Sequence, residues 1–474
     1  MTYPVLTLLI LFPLLAGMGL LFVRRDRTVR IYTFGVFVLE VILAFPLLGF
    51  DAGHTGFQFV NRLSWVPAWG LEYHVGVDGI SLLMVALTLI LFPLCVLCSW
   101  TAIEKRVRSF HLALILLCAA CVGVFSALDF LLFYLFYEAV LIPMYLIIAI
   151  WGGSERDTAS LRFILYTLAG SVLLLVAVIA FGVGCGTFSI PELMSQKFSV
   201  SFQRWTFLVM ALAFAVKIPM FPFHSWLPAA YSQAPIAGSV LLSCVLAKMG
   251  AYGFLRFALP LTPEASITFA PLMIALSIAS ILYGGLMALG ERHIKKLIAY
   301  SSMAHMGFVT LGIFLLNFQG AQGAVLQMVN HGVTSGILFM LAGALYARTH
   351  SYEVTDNQGL GKILPAFMGF WGLAAFSGFA FPGTNNFVGE FLIFTGAFKK
   401  SLLIGFLMVP GALLAATYFL RVTQHMAWGN PRRAEALTDL TLREWGYLLP
   451  LAFLIIYLGL APGMCLSILE GLAP

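Results

Sequence analysis

Residues 215–228 read AVKIPMFPFHSWLP, and residues 378–390 read GFAFPGTNNFVGE. Both stretches put proline inside a long apolar segment. Because proline removes a backbone donor and clashes with the preceding turn, each segment is predicted to form a helix that opens near its middle. Within a bilayer, an opened backbone is tolerated only where it is buried in protein or lines a hydrated cavity. The two stretches therefore favour a membrane helix bundle with two broken helices.

The composition supports a membrane location. The 474 residues are 61% hydrophobic and only 10% charged, and the mean hydropathy is +0.98. This composition leaves too little polar surface to cover a soluble protein of this size. The apolar runs are continuous and do not alternate every second residue, which excludes a transmembrane barrel. We expect an all-α integral membrane protein.

Apolar runs between charged or Pro/Gly-rich loops predict about 14 transmembrane helices, because a helix needs about 20 residues to cross the bilayer. The predicted spans cover residues 4–23, 31–49, 79–100, 110–126, 127–151, 161–184, 205–230, 236–257, 268–290, 294–315, 321–346, 363–398, 401–427 and 444–468. The seventh and twelfth spans contain the two proline breaks.

The spacing of the broken spans predicts an internal repeat. They lie five spans apart, and because five is odd, a repeat that relates them is inverted across the membrane. We expect two inverted five-helix repeats, made of spans 4–8 and 9–13. The chain then divides into N-terminal helices 1–3, a first repeat, a second repeat and a C-terminal helix 14, at residues 1–109, 110–257, 258–427 and 428–474. Proline-kinked helices without a transport role remain an alternative.

The basic residues predict an orientation. If the N-terminus faces outward, eighteen lysine and arginine residues fall in inner loops and six in outer loops. The positive-inside rule then puts both termini on the outer side of the membrane. The basic residues are scattered among short loops and not gathered into one patch, which argues against nucleic-acid binding.

Ionisable side chains occur repeatedly inside the predicted spans. A charge at mid-bilayer costs roughly 2.5–3.5 kcal/mol on insertion scales, so such residues usually mark an ion or proton pathway. A lysine whose carboxylate partner moves can switch its protonation state. The candidate catalytic residues are Glu138, Lys217, Lys248, His305, His331 and Glu390.

Simpler interpretations remain open. Glu138 and Lys217 could form a static ion pair that fixes helix packing, and a single buried histidine can be a hydrogen-bonded core residue. Glu40 also lies mid-span, and its role stays open. Cys95–Cys98 and Cys118–Cys121 match a zinc-ribbon spacing, but they lie in apolar stretches and are interpreted as small core residues. We expect no metal in this chain.

Several stretches resemble the antiporter-like subunits of respiratory complex I and the related Mrp-type cation/proton antiporters. The longest is KIPMFPFHSWLPAAYSQAPIAGSVLLSCVLAKMGAYGFLR, residues 217–256. Others are GVDGISL (76–82), LIAYSSMAHMGFV (297–309) and QMVNHG (327–332). One departure is Ala229, in LPAAY, where the family usually has aspartate.

Within that superfamily, FPGTNNFVGEF (381–391) resembles the chain M family, the bacterial counterpart of mitochondrial NADH dehydrogenase subunit 4. Chains L and N usually place lysine at the position of Glu390. The sequence also ends after the fourteenth span without the long lateral helix of chain L.

The resemblance implies a non-redox, proton-translocating subunit of NADH:quinone oxidoreductase in the bacterial inner membrane. It implies no cofactor in this chain, with NADH, FMN, iron–sulfur clusters and quinone in partner subunits. The implied partners are chains L and N, smaller membrane chains and the lipid bilayer. The implied roles are a coupling pair for Glu138 and Lys217, a central relay for Lys248, intermediates for His305 and His331, and an outward exit for Glu390. An Mrp-type antiporter subunit, a membrane-bound hydrogenase subunit and a purely structural anchor remain alternatives.

Overall fold

The computed structural model describes residues 4–54, 56–429 and 437–471. Arg432 and Arg433, two of the basic residues used to predict the orientation, lie outside the described residues. The α-helices are α1 Val5–Leu20, α2 Asp26–Leu43, α3 Gly79–Ser99, α4 Val107–Ser126, α5 Phe130–Ala139, α6 Leu141–Trp151, α7 Arg156–Cys185, α8 Ile190–Met194, α9 Val200–Lys217, α10 Leu227–Gln233, α11 Ile236–Leu241, α12 Ala247–Gly253, α13 Leu259–Leu261, α14 Pro263–Gly290, α15 Ile294–Phe314, α16 Phe318–Thr349, α17 Pro365–Gly378, α18 Asn385–Lys400, α19 Leu402–Ala427, α20 Leu442–Leu460 and α21 Gly463–Ile468.

Twelve continuous helical segments within the described residues are long and apolar enough to cross a bilayer. They correspond to twelve of the predicted spans. The first predicted span is the shorter apolar helix α1, with 16 residues. The twelfth is divided between α17 and α18, with 14 and 16 residues.

Both predicted breaks are present. α9 ends at Lys217, and the chain resumes as α10 at Leu227. α17 ends at Gly378, and α18 begins at Asn385. Neighbouring groups satisfy backbone atoms at the first break, since Trp226 Nε1 donates to the Val216 carbonyl at 3.0 Å. Such compensation is what allows a helix to open away from water.

The eighth span, Ile236–Leu261, is helical throughout but irregular. α11 and α12 are joined by a π-helical turn at Leu242–Leu246, and a second π-helical turn at Phe254–Ala258 follows α12. π-turns widen a helix locally and occur frequently at functional sites. The two turns bracket the segment that carries Lys248.

The expectation of a purely α-helical chain was wrong in one region. Between the second and third spans the chain forms an antiparallel hairpin of β1, Gln58–Val66, and β2, Leu71–Val77. Gly70 ends the turn with a φ of 64°, a conformation that glycine adopts at little cost. The hairpin was missed because it lies in a loop, where hydropathy over long windows carries no information on strand pairing.

The most buried spans lie at the centre of the bundle. Ile236–Leu261, α15 and α16 are each 94% buried over their most apolar 18 residues, compared with 39% for α7 and 33% for α19. The exposed side chains of α7 and α19 include Leu165 and Leu413. These outer helices therefore present apolar surface to lipid, while the three central spans are enclosed by protein.

Candidate functional site

The three central spans carry Lys248, His305 and His331, and all three side chains are buried. Lys248 Nζ lies 2.6 Å from His331 Nδ1 and donates to the Ser243 carbonyl at 2.6 Å. His331 Nε2 lies 3.0 Å from Ser302 Oγ. Because an ammonium group can only donate, Nδ1 of His331 accepts and Nε2 carries the proton towards Ser302 when Lys248 is charged. A polarised chain of donors therefore links the eighth, eleventh and tenth predicted spans.

The row continues from His331 to Glu390. The imidazole rings of His331 and His305 have centroids 5.6 Å apart. His305 Nδ1 lies 2.9 Å from Glu390 Oε1, and Gln327 Nε2 donates to the same oxygen at 3.0 Å. Both side chains of the His305–Glu390 pair are almost fully buried. An ionised carboxylate only accepts, so Nδ1 of His305 donates to it and Nε2 is left with a free lone pair.

Glu138 and Lys217 do not form the direct ion pair that a static interpretation requires. No ion pair within 4.0 Å joins them in the described part of the chain. Lys217 Nζ instead lies over the ring of Tyr137, 4.6 Å from its centroid. A ring face attracts an ammonium group. Tyr137 precedes Glu138 directly, so the aromatic ring sits beside the predicted pair.

The approach of the broken helix to the eighth span depends on glycine. A Cβ at Gly250 would lie 2.7 Å from the Phe214 carbonyl oxygen and 2.6 Å from the Ile218 side chain. Only a residue without a side chain permits this contact between α12 and the open end of α9. Lys217 and Lys248 therefore lie on directly packed elements, although no hydrogen bond joins them within the described residues.

Sequence reasoning missed the neutral partners of the row. Ser243, Ser302 and Gln327 each contact one of its ionisable groups. Serine and glutamine are too common in membrane helices for their presence alone to indicate a site. The pair Ser301–Ser302, one turn before His305, was the available signal, because residues three and four apart share a helix face.

Two other features of the sequence analysis are structural in character. Glu40 is buried on α2, and Cys118 Sγ lies 3.4 Å from one of its carboxylate oxygens. No lysine, arginine or histidine within the described residues pairs with Glu40. All seven cysteines are free, and the described part of the chain holds no group of three or more candidate metal ligands.

The long apolar helices, the two broken helices and the central row of buried ionisable groups define a membrane protein with an antiporter-like fold. Residues 127–415 match the family model described as NADH:quinone oxidoreductase/Mrp antiporter, transmembrane region. The chain belongs to this family and, within it, to the NADH-quinone oxidoreductase subunit M group.

Individual relatives agree with this assignment. The NADH-quinone oxidoreductase subunit M of Rickettsia bellii is 39% identical over 98% of this chain and 97% of its own length. A chain of respiratory complex I from Thermus thermophilus is 31% identical, with a TM-score of 0.90 over 99% of this chain and 100% of that chain. A chain of the Mrp complex from Dietzia sp. is 20% identical, also with a TM-score of 0.90, over 99% of this chain and 96% of that chain. The Mrp similarity is evidence of a shared fold.

Proposed function

We propose that this chain is the proton-translocating subunit M of a respiratory NADH:quinone oxidoreductase. It contains no redox centre of its own. NADH, FMN, iron–sulfur clusters and quinone belong to partner subunits, and quinone reduction there drives proton transfer here by electrostatic and conformational coupling. Its neighbours are chains L and N and smaller membrane chains of the same complex, in the bacterial inner membrane.

One observation carries the proposal: buried donors and acceptors run from Lys248 through His331 and His305 to Glu390. Burying four ionisable groups in an apolar bundle is costly, and a purely structural anchor has no need of them. An amine, two imidazoles and a carboxylate are the groups that pass protons between them when water or hydroxyl groups bridge the gaps.

The proposed topology has fourteen spans, with α1 as the first span and α17–α18 as the twelfth. Spans 4–8 and 9–13 form inverted repeats, within residues 110–257 and 258–427. The two longest helices, α7 and α16, have 30 and 32 residues and are the third helix of each repeat. Each is followed by the broken helix of its repeat. An odd number of spans separates the repeats, so they are inverted, and both termini lie on the outer side.

In the proposed route, protons enter from the inner side at Glu138 and Lys217, in the first repeat. Lys248 receives them at the centre of the bundle, His331 and His305 carry them onward, and Glu390 releases them outward. Lys217 and Glu138 act as a coupling pair through the space beside Tyr137. Movement of either side chain towards the other changes the electrostatic cost of a charge on Lys217.

The test is Lys217→Ala in the assembled complex, with assembly checked on a native gel. Proton pumping into membrane vesicles and NADH:quinone electron transfer are measured side by side. We expect both activities to fall together, because an obligatory proton step limits coupled turnover. Lys399→Ala, which removes an exposed lysine of α18, is the matched control and should leave both activities unchanged.

Normal pumping and electron transfer in the Lys217→Ala complex would refute the proposed role and return the anchor interpretation. The alternative of an Mrp-type antiporter or hydrogenase subunit is tested separately. The chains that co-purify with this one identify the assembly, and NADH-oxidising subunits are expected among them.

A further inference from the structure

A cavity of about 210 Å³ opens between α14, α15 and α19. Its lining includes Glu291, Arg292, Arg421 and His425 together with Tyr418. Arg292, Arg421 and His425 are exposed, whereas Tyr418 is only 1% exposed. The cavity therefore has charged residues at its mouth and a tyrosine at its inner end. It opens on the face that carries the α14–α15 loop, which is the inner face in the proposed topology.

A second, much smaller cavity lies in the centre of the second repeat. Its volume of about 10 Å³ is close to the minimum that holds one water molecule. Its lining includes Ser301, His305, His331 and Asn386. The Nε2 atom of His305 and both polar side-chain atoms of Asn386 are buried and have no hydrogen-bond partner among the described residues. A buried water needs two to four polar partners, and this cavity supplies them.

A single hydrogen bond separates the two cavities. Tyr418 lines the larger one and Ser301 lines the smaller one. The Tyr418 hydroxyl donates to Ser301 Oγ at 3.1 Å, and both side chains are buried. Hydroxyl groups can each accept one proton and release another, so a tyrosine–serine pair can pass a proton without holding a charge.

We propose that Tyr418 and Ser301, with a water molecule in the smaller cavity, form a second proton entry that leads from the larger cavity to His305. This route rests on the proposed function, because it delivers protons to the row that ends at Glu390. It enters through the second repeat and bypasses Glu138, Lys217 and Lys248.

Each step conserves protons. A proton arriving at the Tyr418 oxygen is matched by transfer of the Tyr418 hydroxyl proton to Ser301 Oγ. Ser301 passes its own proton to the water, and the water passes one to Nε2 of His305. That nitrogen is the acceptor because Nδ1 of His305 donates to Glu390. Both hydroxyl groups end as they began, and the charge arrives on the imidazole beside the carboxylate.

Two substitutions interrupt the route at different points. Tyr418→Phe keeps the ring and removes the hydroxyl, while Ser301→Val removes the acceptor and fills space towards the smaller cavity. Positioned proton donors typically contribute 10²–10⁴-fold to rate. We expect both variants to lower proton pumping and coupled NADH:quinone turnover by roughly tenfold or more, with unchanged NADH oxidation by an artificial electron acceptor. Tyr283→Phe, on α14 and lining neither cavity, is the matched control.

Lys217→Ala is measured in the same preparation. If it abolishes pumping while the Tyr418→Phe and Ser301→Val complexes pump and turn over normally, the second entry is wrong and the proposed function stands. If Lys217→Ala has no effect, the proposed function itself fails.

A measurement on the unsubstituted complex covers the case in which the variants do not assemble. A cryo-EM map that resolves ordered water should show density within hydrogen-bond distance of His305 Nε2 and Asn386. A dry cavity in such a map would overturn the route.

Discussion

His331 is the residue whose loss should affect the central row most directly. Its Nδ1 accepts from Lys248 Nζ at 2.6 Å, and the remaining contact of the ammonium group within the described residues is the Ser243 carbonyl. His331→Leu removes one of these two acceptors and inserts an apolar side chain of similar size. Lys248 is 0% exposed, so water from outside the protein does not reach it in this conformation.

The magnitude follows from the strength of that hydrogen bond. A hydrogen bond to a charged group contributes about 1.5–3 kcal/mol. At tenfold for each 1.4 kcal/mol, losing the acceptor lowers the population of protonated Lys248 by roughly 10- to 150-fold. If protonated Lys248 is an obligatory intermediate, coupled proton pumping and NADH:quinone turnover fall by the same range.

The assay compares pumping with electron transfer in assembled complexes that carry His331→Leu or His331→Gln. Gln offers a carbonyl oxygen as acceptor, so it should recover part of the activity. His111→Leu is the control, because His111 is equally buried at mid-helix in α4 and lies outside the row. Wild-type rates in a stable His331→Leu complex would show that proton transfer does not depend on the Lys248–His331 contact.

Three further predictions concern stability and packing. Glu444→Ala leaves Arg348 without its two hydrogen bonds of 2.6 and 2.7 Å and should cost about 3–5 kcal/mol, seen as faster thermal inactivation, whereas equal half-lives would refute this. Burial and two nearby lysine side chains lower the pKa of His293 to about 4, below its unfolded value of about 6.5. The N-terminus of α15 should therefore lose stability as the pH falls from 6.5 towards 4, and His293→Asn should abolish this dependence in hydrogen exchange. Gly389→Ala places a Cβ 3.0 Å from a backbone nitrogen of α16 and should cost about 1–3 kcal/mol, while Gly369→Ala, with open space around it, should be neutral in the same melting assay.

The positions of the helices follow closely from local sequence. The breaks at Lys217 and Gly378 were predicted because proline acts on its own turn and needs no distant partner. The hairpin of β1 and β2 was missed, because strand pairing depends on residues across a turn and on the helices beneath it. Leu128, for example, donates its backbone N–H to the His74 carbonyl at 2.8 Å.

The contacts of the candidate site depend on helix rotation, which hydropathy does not determine. α15 and α16 are enclosed almost on every side, so their sequences show no wide polar face from which an orientation could be predicted. Tyr418 and Asn386 attracted no attention in the sequence for this reason. Their importance depends on the cavities beside them.

The sequence by itself determined that this protein is a helical membrane protein, where two of its helices open, which ionisable residues lie within its spans and which family it resembles. These properties depend on the length of apolar runs, on proline and on residue identity, all of which act locally. Only the tertiary structure decided that Lys248 contacts His331 and that His305 contacts Glu390, pairs that lie 83 and 85 residues apart. The physical reason is that side-chain partners in a membrane bundle are chosen by close packing between helices distant in the chain.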